Sequence, residues 1–529
     1  MMVKILVSDP LSEEGLKILQ DCGGLQADVR TDLTPAQLKE VIGDYDALIV
    51  RSATKVTKEV ISAAGRLKVI GRAGVGLDNV DLEAATQKGI IVMNTPAGNT
   101  MSTAEHTVSM ILSLARSIPQ ASASVKKGEW KRSKFMGVEL YGKTLGIVGL
   151  GRIGTEVSKR AFSFGMRVLA FDPFLSREVA EALGIEIVEL KELFKRSDFI
   201  TIHTPLTADT KHLISTEQFA LMKKGVRLVN CARGGIIDET ALAAAVKEGK
   251  VAGAALDVFE KEPVAPDSEL LKLDNVIVTP HLGASTEEAQ VNVSIEVAEI
   301  VRDALLGRGI RNAANYPSLE SEVYKVLEPY TVLAERMGIF AGQLVEGRFQ
   351  EIKITYVGDI IKYNLTPLTM ALAKGLLSPI LKETVNFINA TSLAKERGIN
   401  ITETKSPKEE EFVTLIQLEI RTDKESRRIA GTLAANKQPR IVKIDDYYVE
   451  CSPIGEMLFI RNRDVPGIIG GLGSLMGQYN INIAAMSFGR QIAGGTAISV
   501  LNVDSRLTPE ILEKVRKIEN VLYTKVIKI

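Results

Sequence analysis

KTLGIVGLGRIG, residues 143–154, followed by MRVLAFD at 166–172, decides the fold. A continuous apolar strand runs into the spacing G-x-G-x-x-G, carried by Gly149, Gly151 and Gly154, and the residues after it open a helix. The first two glycines permit a tight turn and the close approach of a pyrophosphate to the helix N-terminus, where unpaired N–H groups favour an anion. Asp172 ends the next strand, where a carboxylate accepts hydrogen bonds from a ribose diol and repels a 2′-phosphate. The pattern predicts a Rossmann-type unit binding NAD rather than NADP. Glycines serving only tight packing are the competing reading, and the strand context and the acid together favour the nucleotide.

Outward from this stretch the texture is α/β on both sides. Residues 1–97 alternate short β-branched runs (VKILVSD, ALIVRS, LKVIGRAG, GIIVMNTP) with amphipathic stretches, the signature of a parallel, doubly wound, flavodoxin-like sheet. A helix over STAEHTVSMILSLARS leads into the nucleotide unit, which continues through DFITIHTP, VRLVNCARGG, AGAALDVF and NVIVTPHLG. A helix from about Ser285 to Leu306 is long enough to return the chain to the first unit. The expected organisation is a discontinuous substrate domain, 1–97 with 284–318, interrupted by an NAD-binding domain at 98–283.

Past Pro317 charge increases. Residues 319–450 read as a separate α+β domain, with TETKSPKEEE near residue 405 as a linker-like run. From 457 to 529 the order is βαββαβ, a ferredoxin-like split βαβ unit.

Composition narrows the partners. With 65 basic and 65 acidic residues among 529, no net field recruits nucleic acid or an anionic membrane. Three scattered cysteines, Cys22, Cys231 and Cys451, have neither metal-ligand spacing nor the number for a disulfide framework, so a cytoplasmic protein without a metal site is expected. The N-terminus starts directly on a strand, and no apolar stretch is long enough to span a bilayer.

The chemistry gathers at strand ends. His281 follows NVIVTP, at a carboxyl end where open α/β sheets present functional groups. Glu262 can pair with its imidazolium and fix its tautomer, making an acid–base pair. Arg233, after VRLVNCA, offers a planar fork suited to a carboxylate. Each residue alone reads as a surface ion pair or a cap; together behind a dinucleotide fold they point to hydride and proton transfer on an anionic 2-hydroxy acid. His106 reads as a packing or hydrogen-bonding residue of its helix.

GLGRIG, the HTP segment at His203 to Pro205, CARGG, DVFEKEP and PHLGAST stand in the order found in the D-isomer-specific 2-hydroxyacid dehydrogenases, which this chain resembles. The resemblance implies Arg233 as carboxylate binder, Glu262 as partner of the histidine and His281 as the proton-transfer group. It further implies cofactor contacts from Val75, Arg152, Ile153, Asp172, Thr204, Cys231, Ala232, Arg233, Asp257, His281, Leu282, Gly283 and Ala284, with Asp257 holding the nicotinamide carboxamide. IVRSATKVT, GRAGVGLDNVD, KFMGVEL and the two C-terminal domains look like the long-form branch that acts on 3-phosphoglycerate. That substrate needs further cations, for which Arg51 and Arg72 are the candidates, with Asn99 nearby and Arg132 and Lys134 approaching from a neighbouring subunit. A homodimer or homotetramer is expected.

The terminal unit resembles an ACT domain in NRDVPG followed by NINIAA. Asn462, Asp464, Gly467 and Asn482 supply the donors and acceptors that a zwitterion needs, and L-serine is the implied effector. Two alternatives stay open: another 2-hydroxy acid such as glyoxylate or hydroxypyruvate on the same chemistry, and an NAD(H)-sensing interaction protein built on the same scaffold.

Overall fold

The computed structural model describes residues 2–317, 321–381, 385–407 and 412–529. Its first sheet is parallel and five-stranded, in the spatial order Leu25–Val29, Val3–Val7, Ala47–Val50, Val69–Arg72, Ile91–Asn94, the flavodoxin-like arrangement. Its strands are apolar because helices cover both faces. One covering helix, Glu287–Leu305, comes from far along the chain and packs Val293, Val297 and Val301 against Ile5, Val7, Ile49 and Val69. Gly71 makes room for it: a Cβ there would stand 2.5 Å from Val301 Cγ2. Residues beyond this helix stay with the same sheet, where Asn94 N–H donates to the Asn312 carbonyl.

The second sheet has seven parallel strands in the order Val276–Val278, Val251–Leu256, Val226–Asn230, Phe199–Ile202, Thr144–Val148, Arg167–Phe171, Glu186–Ile187. The order reverses between Thr144–Val148 and Phe199–Ile202, the switch point where doubly wound sheets open a crevice at their carboxyl ends. Helix Thr100–Arg116 seals one face, burying Ala104, Met110, Ile111 and Leu114 against Leu145, Ile147, Val229 and Ala255.

The C-terminal part holds a six-stranded sheet backed by helices Ser321–Leu344 and Thr366–Leu377, and a four-stranded antiparallel sheet in βαββαβ order. The linker expected near residue 405 is a strand instead. Asn400–Ser406 pairs in parallel with Phe349–Gly358 at the sheet edge, and the remaining residues of that run, 408–411, lie outside the described residues. Its polar composition follows from its place, since an edge strand draws stability from one row of hydrogen bonds and faces water elsewhere. Among the described residues no helix is long and apolar enough to cross a membrane.

The two backing helices cross at glycine. A Cβ on Gly375 would lie 2.0 Å from the Glu335 carbonyl oxygen, and one on Gly338 2.2 Å from that of Leu372. The backbones must move apart to admit even a methyl group. Gly375→Ala should therefore destabilise the C-terminal half by about 2 kcal/mol, read as a lowered urea midpoint; an unchanged midpoint would refute this packing.

Candidate active site

The nucleotide loop divides its glycines by role. Gly149 has φ 93°, and a Cβ there would meet the His203 carbonyl oxygen at 2.7 Å. A Cβ on Gly154 would sit 2.3 Å from the Gly149 oxygen, so this glycine lets helix Arg152–Ser163 pack onto its strand. Gly151 differs, because a Cβ there would meet nothing within 4 Å. The chain itself does not need that glycine; a ligand lying against the backbone does. Gly151 caps the helix with no side-chain hydrogen bond, leaving its first N–H groups for an anion. Asp172 accepts the Leu150 and Phe174 N–H groups at 2.9 Å each, which fixes the carboxylate beside the loop. Thr204 Oγ1, across the crevice from Gly149, is buried without a partner. Open space, free donors, an anchored acid and an unpaired hydroxyl fit a dinucleotide.

Cys231 and Ala232 follow the strand Val226–Asn230, in a turn shaped by Asn230. The amide of this buried residue donates to the Arg233 carbonyl at 2.8 Å and accepts from Ala232 N–H at 3.0 Å. Burial and the charge of Asp257 push the Cys231 thiol up to about 12, so it is neutral and not a nucleophile. His203 is likewise neutral, its pKa lowered by burial to about 3, with Nε2 3.0 Å from Thr201 Oγ1.

Arg233 reaches across to the first sheet. Its Nε lies 3.3 Å from Asp78 Oδ2, and a Cβ on Gly76 would stand 1.9 Å from its Nη2. Arg72, at the end of its own strand, lies against Gly74 and donates from Nε to Asn79 Oδ1 at 3.1 Å. Burial, then the nearby charges of Arg233 and Arg51, lower the Arg72 pKa to about 10, leaving it cationic near neutrality. Arg51 is held by its backbone: Asp9 accepts its N–H, and Asn79 Nδ2 donates to its carbonyl at 2.7 Å. The Arg51 Nε is buried without a partner, as is Asn99 Oδ1 at the start of helix Thr100–Arg116. Three guanidinium groups thus converge where, among the described residues, Asp78, a mostly exposed side chain, pairs with Arg233 and the charge of Asp9 also acts on Arg72. Three cations against two acids leave the cluster positive.

The acid–base pair stands on loops that touch this cluster. His281 Nδ1 is 2.8 Å from Glu262 Oε2, with both side chains partly exposed, and Glu262 Oε1 accepts Phe259 N–H at 3.1 Å. Gly234 allows the contact, since a Cβ there would lie 1.8 Å from the Phe259 carbonyl oxygen. His281 itself has φ 56°, a left-handed conformation held from outside. Asp257 does the holding. Its carboxylate is fully buried and accepts Thr279 Oγ1 at 2.6 Å, Leu282 N–H at 2.7 Å and Gly283 N–H at 2.8 Å, with His106 Nε2 at 3.2 Å. The carboxylate expected to meet the carboxamide is thus turned inward, with Oδ1 taking most of the donors and Oδ2 only the Gly283 N–H. His106, as its helical position implied, is a hydrogen-bonding residue.

Other expected residues are not brought together. Arg132 and Lys134 lie in an exposed turn, Arg132–Phe135, where Lys134 faces Asp274 at 3.7 Å, and among the described residues no contact joins them to the arginine cluster. Asn462 is fully buried in this chain, its amide donating to the Arg463 carbonyl while its Oδ1 has no partner. Asp464 accepts Arg490 Nη1 at 2.9 Å and Gly494 N–H at 3.2 Å, whereas Asn482 donates to Asp504 at 2.6 Å. The register pairs Arg463 with Thr496 and Ile483 with Val503, so Asp464 and Asn482 stand at opposite ends of the four-stranded sheet. Asn79, Asn230 and Ser102 are residues the sequence did not single out; an asparagine in a turn or a serine in a helix carries no signal until its partners are known.

Comparison with known proteins agrees with this geometry. Residues 108–283 match the NAD binding domain of the D-isomer specific 2-hydroxyacid dehydrogenases, 326–445 the D-3-phosphoglycerate dehydrogenase intervening domain, and 457–520 the ACT domain. D-3-phosphoglycerate dehydrogenase of Methanocaldococcus jannaschii is 49% identical over 98% of both chains, and that of Bacillus subtilis 44% identical over 99% of both. Among solved structures, D-lactate dehydrogenase from Aquifex aeolicus, complexed with NAD and lactic acid, superposes with a TM-score of 0.53 at 33% identity, over 60% of this chain and all of its own. A glyoxylate reductase from Paecilomyes thermophila gives 0.55 at 30% identity, over 59% and 98% of the respective chains. The chain belongs to the D-3-phosphoglycerate dehydrogenase family, a branch of the D-isomer specific 2-hydroxyacid dehydrogenases with an NAD-binding domain and an ACT domain.

Proposed function

We propose that the chain oxidises D-3-phosphoglycerate to 3-phosphohydroxypyruvate with NAD, the first step of L-serine biosynthesis from that acid. The observation that carries the reading is the convergence of Arg51, Arg72 and Arg233 beside the Glu262–His281 pair, in a chain that matches D-3-phosphoglycerate dehydrogenases nearly end to end. NAD, when bound against Gly151, supplies the hydride acceptor. Arg233 holds the substrate carboxylate through its fork, which orients C2, while Arg72 and Arg51 neutralise the phosphate. His281 takes the C2 hydroxyl proton as the hydride leaves, and Glu262 stabilises the imidazolium across the 2.8 Å contact. Substitution of the trio separates these roles. His281→Ala should lower kcat about 100-fold or more with normal NAD affinity, measured by steady-state rates and calorimetry. Arg233→Lys loses the fork and should cost about 100-fold in kcat/KM. Near-normal turnover of either pure variant would sink the role concerned.

The phosphate assignment has its own test, which also decides against glyoxylate or hydroxypyruvate as the substrate. Arg72→Leu should raise KM for 3-phosphoglycerate about tenfold or more, while rates with unphosphorylated 2-hydroxy acids stay unchanged; an equal loss on both would remove Arg72 from the phosphate. For the cofactor, Asp172→Ala should weaken NAD binding and narrow its margin over NADP. Unaltered discrimination would take Asp172 out of the ribose site.

The ACT domain supports an effector, which this reading identifies as L-serine, the end product. Because Asp464 and Asn482 lie at opposite ends of one sheet, a site using both is completed by a second copy, which fits a homodimer or homotetramer. The same second copy is what would carry Arg132 and Lys134 to the substrate. Three free cysteines suit the reducing cytoplasm, and the boundaries of the four domains are taken as 1–97 with 284–318, 98–283, 319–450 and 457–529.

A further inference from the structure

Helix Thr100–Arg116 carries the chain from the first sheet to the second, and it is bolted to the loop bearing His281. Ser102 Oγ and Thr103 Oγ1 both donate to the Gly283 carbonyl, at 2.8 and 3.1 Å, in a buried setting. One turn further along the same helix, His106 Nε2 lies 3.2 Å from Asp257 Oδ1 and 3.4 Å from Thr279 Oγ1. The other crossing segment is fastened at the same place. Gln290 Nε2 donates to the Ala284 carbonyl at 3.0 Å, and a Cβ on Gly98 would stand 2.6 Å from Val293 Cγ1.

We propose that His106, assisted by Ser102 and Thr103, is a positioning residue that ties the connecting helix to Asp257 and so holds the Thr279–Gly283 backbone in the conformation that presents His281. Arg51, Arg72 and Asn99 come from one side of the cleft and Glu262 from the other. The histidine between them has a left-handed backbone, and its Glu262 contact restrains the ring rather than that backbone. The backbone is set by the Asp257 carboxylate, and that carboxylate needs donors.

The charge at Asp257 gives the device a signature. Burial raises this carboxyl, but hydrogen bonds from His106, Thr279 and Leu282 N–H outweigh it and leave the pKa lowered. The titratable groups facing it are His106 from the connecting helix and the Cys231 thiol, which stays neutral at pH values below about 12. A carboxyl held below its ordinary value keeps its partners at neutral pH and loses them as pH falls through its folded value. Removing the His106 donor moves that value upward, so the hydrogen bonds to Leu282 and Gly283 should be lost at a higher pH.

The catalytic readout rests on the proposed dehydrogenase reaction, so the test includes one that does not. In the full chain without ligands, His106→Phe should raise amide hydrogen exchange at Leu282 and Gly283 by about tenfold or more. With NAD and 3-phosphoglycerate it should lower kcat by at least about tenfold. His106→Gln, which restores a donor, should recover most of both. Ser102→Ala and Thr103→Val, milder changes, should raise the same exchange if the phenylalanine variant does not fold. Unchanged exchange at 282–283 in the variants, or glutamine no better than phenylalanine, would each overturn the role of His106. A wild-type chain inactive on 3-phosphoglycerate would instead overturn the proposed function and leave the exchange result to judge the proposal.

Discussion

Three guanidinium groups gathered in one cleft repel one another, and the architecture around them exists to hold them there. Burial, with the like charges of Arg233 and Arg51, depresses the pKa of Arg72. Free side chains would splay apart into solvent. The supports combine backbone, amide and acid groups: Asp9 accepts the N–H groups of Arg51 and Thr54, Asn79 joins the Arg51 and Thr54 carbonyls to the Arg72 side chain, and Asp78 pairs with Arg233. Two carboxylates against three guanidinium groups leave a net positive charge. The cluster keeps its field for an incoming anion, and a site arranged this way binds at the expense of the free protein's own stability.

Because Arg233 belongs to the second sheet and the other two to the first, the charge cluster is complete only when the two sheets face each other closely. Gly76 shows how close that approach is, since the guanidinium occupies the volume of its missing side chain. Substrate affinity and the relative placement of the two sheets are thus one property. The Glu262–His281 pair belongs to the second sheet alone, on loops that Gly234 lets touch the turn of Arg233. An anion bridging the cleft would draw the first sheet onto chemistry already assembled on the second.

Much of this was legible in the sequence, for reasons that can be named. Buried parallel strands read as unbroken apolar runs, and a glycine turn feeding a helix has few other uses, so both α/β units and the nucleotide crevice follow from residues 143–172 and their surroundings. Arg233, Glu262 and His281 stand at strand ends, where topology puts functional groups. What escaped was context. Asp257 follows a strand as a ligand-binding acid would, but its burial turns it inward to the His281 loop. Asn462 resembles a turn residue open to a ligand until the sheet closes over it. TETKS looks like a linker because an edge strand needs no apolar face. Gly338 and Gly375 carry no signal in the sequence, and they are where two helix backbones meet. Each of these depends on a partner distant in sequence, which local pattern does not contain.

The return of helix Glu287–Leu305 to the first sheet bears on how the molecule is made. Strands from Val3 to Asn94 leave the ribosome early, but the face that Val293, Val297 and Val301 cover stays bare until the whole nucleotide-binding unit has been synthesised. At about 5–20 residues per second this interval is on the order of ten seconds or more. During that time Ile5, Val7, Ile49 and Val69 have only early residues such as Leu16 and Leu19 against them and lack the cover of the returning helix. The middle of the chain therefore completes before its beginning does, and the N-terminal strands are the natural client for whatever shields nascent chains in the cell.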